Sequence, residues 1–318
     1  MNSFSFSGKS ILITGSNGLL GREIVGLLQK NHSDAKLIIP SSSDVDLRCK
    51  ESVDELFSLE GGVDVVIHLA AVVFGLKGNM LNQYNALHQN TTIDSNVFDA
   101  CKKHRVEKIF YASSVAAYGF PFAGLPLKES DLFFGEPHSG ELGYSMAKRH
   151  AYAYLKILSQ QGVDCIYGLF TNLYGRHDTY NDVTSHVVPS LIFKALKAKK
   201  NLESLSVWGS GEASRDFMYA KDAARAVIHL LSFSDVKNEV CNIASGAELK
   251  ISDIAESLAS ILELSGIEYD ANQPVGIKSR SIDISRLDEL RFSCEYDLQA
   301  GLEEVLDFLG DSNLLGGK

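Results

Sequence analysis

Long apolar runs are missing from this chain, basic charge is in deficit, and cysteine is sparse, with five in 318 residues beside a single tryptophan. No stretch approaches the roughly 18 consecutive apolar residues of a membrane-spanning helix. The opening MNSFSFSGKS sets no basic segment ahead of an apolar one, so it does not read as a secretory leader. Cys49, Cys101, Cys165, Cys241 and Cys294 are scattered, odd in number and without metal-ligand spacing, which fits a reducing cytosol better than a disulfide framework. The formal net charge is −10, from 30 Lys and Arg against 40 Asp and Glu, which argues against binding nucleic acid through its phosphates. An anionic small ligand stays open, because a few local arginines suffice for one diphosphate. The expectation is a soluble cytoplasmic protein with no metal, no membrane contact and no nucleic-acid partner. There is no internal repeat or low-complexity linker, and only the tail SNLLGGK looks frayed.

What is present is ordinary globular composition, 45% hydrophobic and 22% charged, in a chain long enough for one large domain or two closely joined ones. Apolar strands alternate with helical periodicity through the first half. Strands read at 10–15, 36–40, 64–71, 108–113 and 164–170, with helices at 19–30, 51–59, about 83–104 and 143–161. Near-continuous apolar strands alternating with helices mean a parallel sheet covered on both faces, the α/β doubly wound (Rossmann) class. After about residue 172 the pattern loosens: helices at 184–200, 222–232, 252–262 and 298–309, with brief strands SVWG and VCNIA between them. The expected division is a dinucleotide-binding domain over 1–172 and a smaller α/β lobe over 173–318, with chain crossovers between them.

ILITGSNGLLGRE sets Gly15, Gly18 and Gly21 directly after the first strand and opening the first helix. In this G-x-x-G-x-x-G spacing the first glycine permits the tight turn, the second lets backbone approach a pyrophosphate, and the third lets helix pack on strand. The helix N-terminus then offers free N–H groups to the phosphates. The second strand runs out into Pro40-Ser41-Ser42-Ser43-Asp44-Val45-Asp46-Leu47. An acidic residue immediately after that strand would bond a ribose 2′-hydroxyl and repel a 2′-phosphate. Neither an acid nor an arginine stands there. Serine hydroxyls and Lys36 tolerate a phosphate, so NADPH is expected, with NADH usable. Asp46 is either a partner for the adenine amino group or a loop carboxylate that starts the next helix.

Tyr144 and Lys148 lie at i and i+4, on one face of the helix at 143–161. A free tyrosine titrates near 10, and a nearby ammonium lowers that value. With the glycine loop upstream and Ser114 at the end of the fourth strand, this pair reads as a proton-transfer set. Ser113 beside it reads as a residue that satisfies backbone groups.

TGSNGLLG, DVVIHLAA, ASSVAAYG, YSMAK and FTNLYG, in this order and spacing, resemble the extended short-chain dehydrogenase/reductase family, the NAD-dependent epimerases and dehydratases, over about residues 9–309. The resemblance implies that Ser114 orients a substrate carbonyl, Tyr144 is the acid/base, and Lys148 supports it and holds the nicotinamide ribose. It further implies that Asn17, Leu19, Ser41, Asp46, Leu47, Leu69, Ala70 and Ala71 contact the cofactor, with Thr171, Asn172 and Leu173 near its nicotinamide end. Homodimerisation through the helices around 83–104 and 143–161 is also implied.

Within the family, TNLYGRHDTYNDVTSHVVPSLI and VWGSGEASRDFMYAKDAARA are most similar to the GDP-L-fucose synthase branch. Those enzymes epimerise C3 and C5 of a 4-keto sugar and then reduce C4, so a GDP-linked sugar substrate is implied. Carried across, His186 is an epimerisation acid/base, Lys194 a basic phosphate contact, and Trp208, Arg215 and Arg280 nucleotide-sugar contacts beside Asn172. Read from the residues alone, Arg215 after the glycine-bounded SVWGSG suits a diphosphate fork. Trp208 is a core residue or a ligand contact, and His186 a structural histidine or a proton carrier. One departure stands out. The branch carries a cysteine two residues after the strand-end serine, and this chain has Ala116. The reading is therefore a 4-keto nucleotide-sugar C4 reductase with little or no epimerisation. Its rivals are a complete epimerase-reductase, an epimerase or dehydratase on another nucleotide sugar, and a non-catalytic dinucleotide-sensing module.

Overall fold

SILIT, residues Ser10–Thr14, is buried at every position and forms β1 in the middle of a parallel sheet. The computed structural model describes residues 3–59, 61–181, 185–272 and 277–311. From β1 the chain runs through α1 (Leu19–Asn31), β2 (Lys36–Ile38), α2 (Lys50–Phe57), β3 (Val65–His68), α3 (Gly75–Leu81), α4 (Gln83–Lys103), β4 (Lys108–Ser114), α5 (Leu142–Ser159) and β5 (Asp164–Phe170). It continues through β6 (Asn172–Tyr174), α6 (Val187–Asn201), β7 (Leu205–Trp208), β8 (Ser214–Tyr219), α7 (Ala220–Leu231), β9 (Glu239–Ile243), β10 (Glu248–Lys250), α8 (Ile251–Leu262), β11 (Ile267–Asp270), β12 (Ser279–Arg280), α9 (Ser285–Glu289) and α10 (Leu298–Asp311).

Six strands pair in parallel in the order β2-β1-β3-β4-β5-β9. The order reverses between β1 and β3, and a doubly wound sheet opens its ligand crevice beyond the carboxyl ends at such a point. Alternate residues of each strand feed opposite faces. Leu12, Val66 and Tyr111 join a core under α2, α4 and α5, while Ile11, Ile13 and Phe110 join one under α1 and α7. At about 1.5–3 kcal/mol for each large side chain buried, these two layers dominate the stability of the sheet. Register carries one row straight across it: Thr14 opposite His68, His68 opposite Tyr111, Tyr111 opposite Tyr167.

The chain beyond residue 172 divides its elements. VCNIA forms β9 and returns to the edge of the large sheet beside β5, and α7 packs on α1. SVWG forms β7 and pairs instead with β11, over a third core of Ile192, Val207, Phe217, Ile254 and Leu302. A further small sheet, β10-β8-β12 with β6 against β8, had no periodicity to announce it, because its strands are two to six residues long. The second strand is shorter than expected, ending at Ile38, and Ile39 is exposed. The helix expected from 184 begins at Val187, with Pro189 tolerated in its first turn. Thr184 and the tail SNLLGGK lie outside the described residues. No helix among the described residues is long and apolar enough to cross a membrane.

Candidate active site

The glycine loop has the geometry its spacing predicts. Gly15 sits at φ +72°, and a Cβ there would stand 2.8 Å from the Ala70 nitrogen. At Gly21 a Cβ would stand 2.3 Å from the Gly15 carbonyl oxygen, so neither position accepts a side chain. Gly18 differs: a Cβ would meet only the Gly15 oxygen at 3.4 Å, so the fold itself leaves the space above it open. Gly18 also caps the 13-residue α1 without a side-chain acceptor, and the first turn carries no acid. Free N–H groups and open space fit a pyrophosphate. The loop brings Gly15 against Leu69 and Ala70.

The segment after β2 departs from expectation. Asp44 folds back onto Ser41, accepting from its amide at 3.0 Å and its hydroxyl at 2.6 Å, while Ser41 and Ser43 hydroxyls meet at 2.6 Å. Asp46 is held by Arg48 through two contacts of 2.9 Å, Oδ1 to Nε and Oδ2 to Nη2. The guanidinium missing from the strand end is thus supplied two residues beyond Asp46. Leu47 is anchored through its carbonyl by Asn96 at 3.0 Å. Lys36 begins β2, paired with Ser10 at the end of the sheet away from the loop, so it does not serve the ribose.

Ser114 closes β4, and Lys148, with Tyr144 beside it, reaches the same end of the strand through the Ala112 carbonyl. Ser114 Oγ accepts the Ala116 amide at 3.2 Å as it caps the 3₁₀ turn Val115–Ala117, which leaves its O–H to donate elsewhere. Arg149 clamps that turn by donating to the Ala117 carbonyl at 2.7 Å and the Gly135 carbonyl at 2.8 Å. Lys148 is buried, with Nζ 5.5 Å from the Tyr144 ring centroid. Its amine donates to Tyr111 OH at 3.0 Å and the Ala112 carbonyl at 2.7 Å rather than to Tyr144. Burial pushes Lys148 down to about 8, partly opposed by Asp94. Burial also pushes the Tyr144 phenol up, reinforced by the charges of Glu141 and Asp94. Desolvation thus works against the depressed tyrosine expected from sequence. Ser113 bonds a side chain rather than backbone, donating to Tyr167 OH at 2.6 Å.

Across the crevice, β8 and β12 pair in parallel with Arg215 opposite Arg280. Burial pushes Arg215 down to about 10, and the Arg280 charge beside it adds to the effect. Arg280 is likewise held down by burial, and its Nε is buried with no partner. Two adjacent guanidiniums, one with a spare donor, fit a diphosphate. Lys194 Nζ lies 4.4 Å over the Trp208 ring, which is 47% exposed and therefore not a core residue. Thr171 Oγ1 and Asn172 Nδ2 both donate to the Asp216 carbonyl, at 2.8 and 3.0 Å, and so fasten β6 to the strand that bears Arg215. Among the described residues no cluster of three or more His, Cys, Asp or Glu could hold a metal.

Residues 11–244 match the NAD dependent epimerase/dehydratase family. GDP-L-fucose synthase of Azorhizobium caulinodans is 31% identical over 306 residues, covering 95% of this chain and 96% of that protein. This chain belongs to the NAD dependent epimerase/dehydratase family. Among solved structures, a GDP-L-fucose synthetase from Naegleria fowleri bound to NADP superposes with a TM-score of 0.89 at 23% identity, covering 99% and 98% of the two chains. A GDP-mannoheptose C4 reductase from Campylobacter jejuni with NADP bound gives 0.85 at 24%, covering 96% and 99%. Membership in the NAD dependent epimerase/dehydratase family makes the chain an NAD(P)-dependent enzyme and agrees with the loop, the Tyr144–Lys148 pair and the sheet order.

Two site residues escaped sequence reasoning. Glu141 is half-buried, and its charge acts on Tyr144, Arg215 and Arg280 alike. Its place three residues before Tyr144 was the available signal. Asp178 is the other. His186, exposed and at the N-terminus of α6 without a capping bond, pulls against the burial that raises the Asp178 carboxyl, whose Oδ2 is buried and unpartnered. The two therefore lie near each other. The turn that carries Ala116 offers Val115, Ala116 and Ala117, none ionisable, and Ala116 is 7% exposed.

Proposed function

We propose that this chain is an NADPH-dependent C4 ketoreductase of a GDP-linked 4-keto sugar, with little or no epimerisation at C3 and C5. The observation that carries it is the Ser114–Tyr144–Lys148 set together with the half-buried pair Arg215 and Arg280, with an apolar turn where an epimerising partner acid is required. The GDP-sugar names of the relatives support the substrate class, and the NADP-bound neighbours support the cofactor. NADPH bound along the glycine loop supplies a hydride to C4. Ser114 donates a hydrogen bond to the C4 oxygen and fixes the carbonyl. Tyr144 gives its proton to that oxygen, so ketone, hydride and proton become an alcohol. Lys148 holds positive charge beneath the phenol as the proton leaves. Arg215 and Arg280 hold the diphosphate, Trp208 and Lys194 the nucleotide end, and Asn172 the wall between.

The test is a panel of GDP-4-keto hexoses and heptoses with NADPH or NADH, with products read by NMR. Expected is cofactor oxidation with reduction at C4, and a preference for NADPH of about tenfold, worth about 1.4 kcal/mol. No turnover on any member removes the reading. A complete epimerase-reductase is the second reading, favoured by Glu141 as a carboxylate whose charge acts on Tyr144.

We further propose a homodimer formed through α4 and α5, which pack together and expose Tyr84, Leu87, Leu142 and Met146. Light scattering is expected to give about twice 34.7 kDa. A mass of one chain, unchanged with concentration, counts against it.

A further inference from the structure

A row of buried polar side chains crosses the sheet between the glycine loop and Lys148. The Ala70 amide donates to Thr14 Oγ1 at 3.3 Å, and Thr14 Oγ1 lies 2.6 Å from His68 Nδ1. His68 Nε2 lies 3.0 Å from Asp94 Oδ1. From the other side, Lys148 Nζ donates to Tyr111 OH at 3.0 Å, and Tyr111 OH donates to Asp94 Oδ2 at 2.8 Å. A carboxylate only accepts, so a neutral His68 must present Nε2–H to Asp94 and take the Thr14 proton at Nδ1. Every donor then points toward one acceptor, and Tyr111 keeps a lone pair for the lysine. Thr14, His68, Asp94 and Lys148 are each 2% exposed or less, and Tyr111 is fully buried.

A buried amine with no counter-ion sheds its proton. Lys148 forms no direct ion pair; Asp94 is its opposite charge, one hydroxyl away. We propose that Asp94 and Tyr111 are positioning residues for Lys148: the carboxylate, acting through the tyrosine hydroxyl, fixes the amine beneath the Tyr144 ring and keeps it protonated. The groups facing this amine are Tyr111 from β4, Asp94 from α4, Tyr144 from its own helix α5, and, one contact further, His68 from β3 and Tyr167 from β5. Among them Asp94 is the group that raises Lys148 against its burial. The charged lysine is present below its titration point and lost above it. Removing Asp94 moves that point to lower pH, so the charged form disappears earlier as pH rises.

The proposal rests on Lys148 serving the proposed reduction, so the test reads the lysine twice. Lys148 is titrated without substrate by competitive acetylation, with the modified peptide quantified by mass spectrometry across pH 6–10. The pH profile of C4 reduction is measured separately. Asp94→Asn is expected to move both the labelling midpoint and the alkaline limb of the rate by about one pH unit to acid. Tyr111→Phe, which keeps the ring and removes the bridge, is expected to move both in the same direction. An unmoved labelling midpoint in folded Tyr111→Phe overturns the proposal. A moved midpoint with no matching change in rate supports the bridge and instead removes Lys148 from the reaction.

Discussion

Tyr144→Phe is expected to lower C4 reduction by about 100- to 10,000-fold while the fold and cofactor binding survive. The change removes one hydroxyl, that of the proposed proton donor, whose ring centroid lies 5.5 Å from the amine of Lys148. General acid catalysis contributes on that scale, which corresponds to about 2.7–5.5 kcal/mol of barrier. The phenol's environment sharpens the expectation. Burial holds its proton, so the tyrosine is ready to donate throughout the neutral range, and its own ionisation does not limit reduction there. An alkaline loss just above neutrality is therefore expected from Lys148, which burial pushes down to about 8. Steady-state rates with a 4-keto sugar, beside nucleotide titration by fluorescence quenching, check both halves. Near-normal turnover in the variant takes Tyr144 out of the mechanism.

The second expected result concerns Ala116. Epimerisation at C3 or C5 removes a proton beside the C4 ketone and returns one to the opposite face, which two acid/base groups on opposite sides do best. In the proposed reaction His186 is one such group, and the turn Val115–Ala117 offers no ionisable side chain. Loss of one such group commonly costs about 100-fold or more, whereas reduction needs only Ser114, Tyr144, Lys148 and cofactor. Incubated in deuterated water with 4-keto sugar and no reducing cofactor, the enzyme is expected to leave C3 and C5 unlabelled on the timescale of reduction. Ala116→Cys is expected to raise the exchange. Deuterium uptake by the native chain at the pace of reduction would end the reductase-only reading and point to Glu141 as the replacement acid.

The parts of the site that were readable in the sequence are those whose geometry is local. Gly15 and Gly21 announce themselves because a turn and a close helix–strand approach lie within a few residues of each other and leave no room for Cβ. Tyr144 and Lys148 share a face because a helix repeats every 3.6 residues. The segment after β2 was only half legible. Its residues were all in view, but Ser41 took Asp44 and Arg48 took Asp46 through loop conformations that no periodicity encodes.

By itself, then, the sequence determined the alternation of strand and helix, the glycine loop, the shared helix face of Tyr144 and Lys148 and the alanine at 116. The tertiary structure alone decided which distant residues meet. Arg280 stands beside Arg215 because β12 pairs with β8 in one register and no other. Lys148 faces Tyr111 and Asp94 because β4 lies under α4 and α5, and a one-residue slip in that strand turns Tyr111 to the opposite face. Register is set by the summed packing of two cores rather than by any motif. Thr14, His68, Tyr111 and Tyr167, unremarkable in their own segments, form a single row only once the sheet has closed.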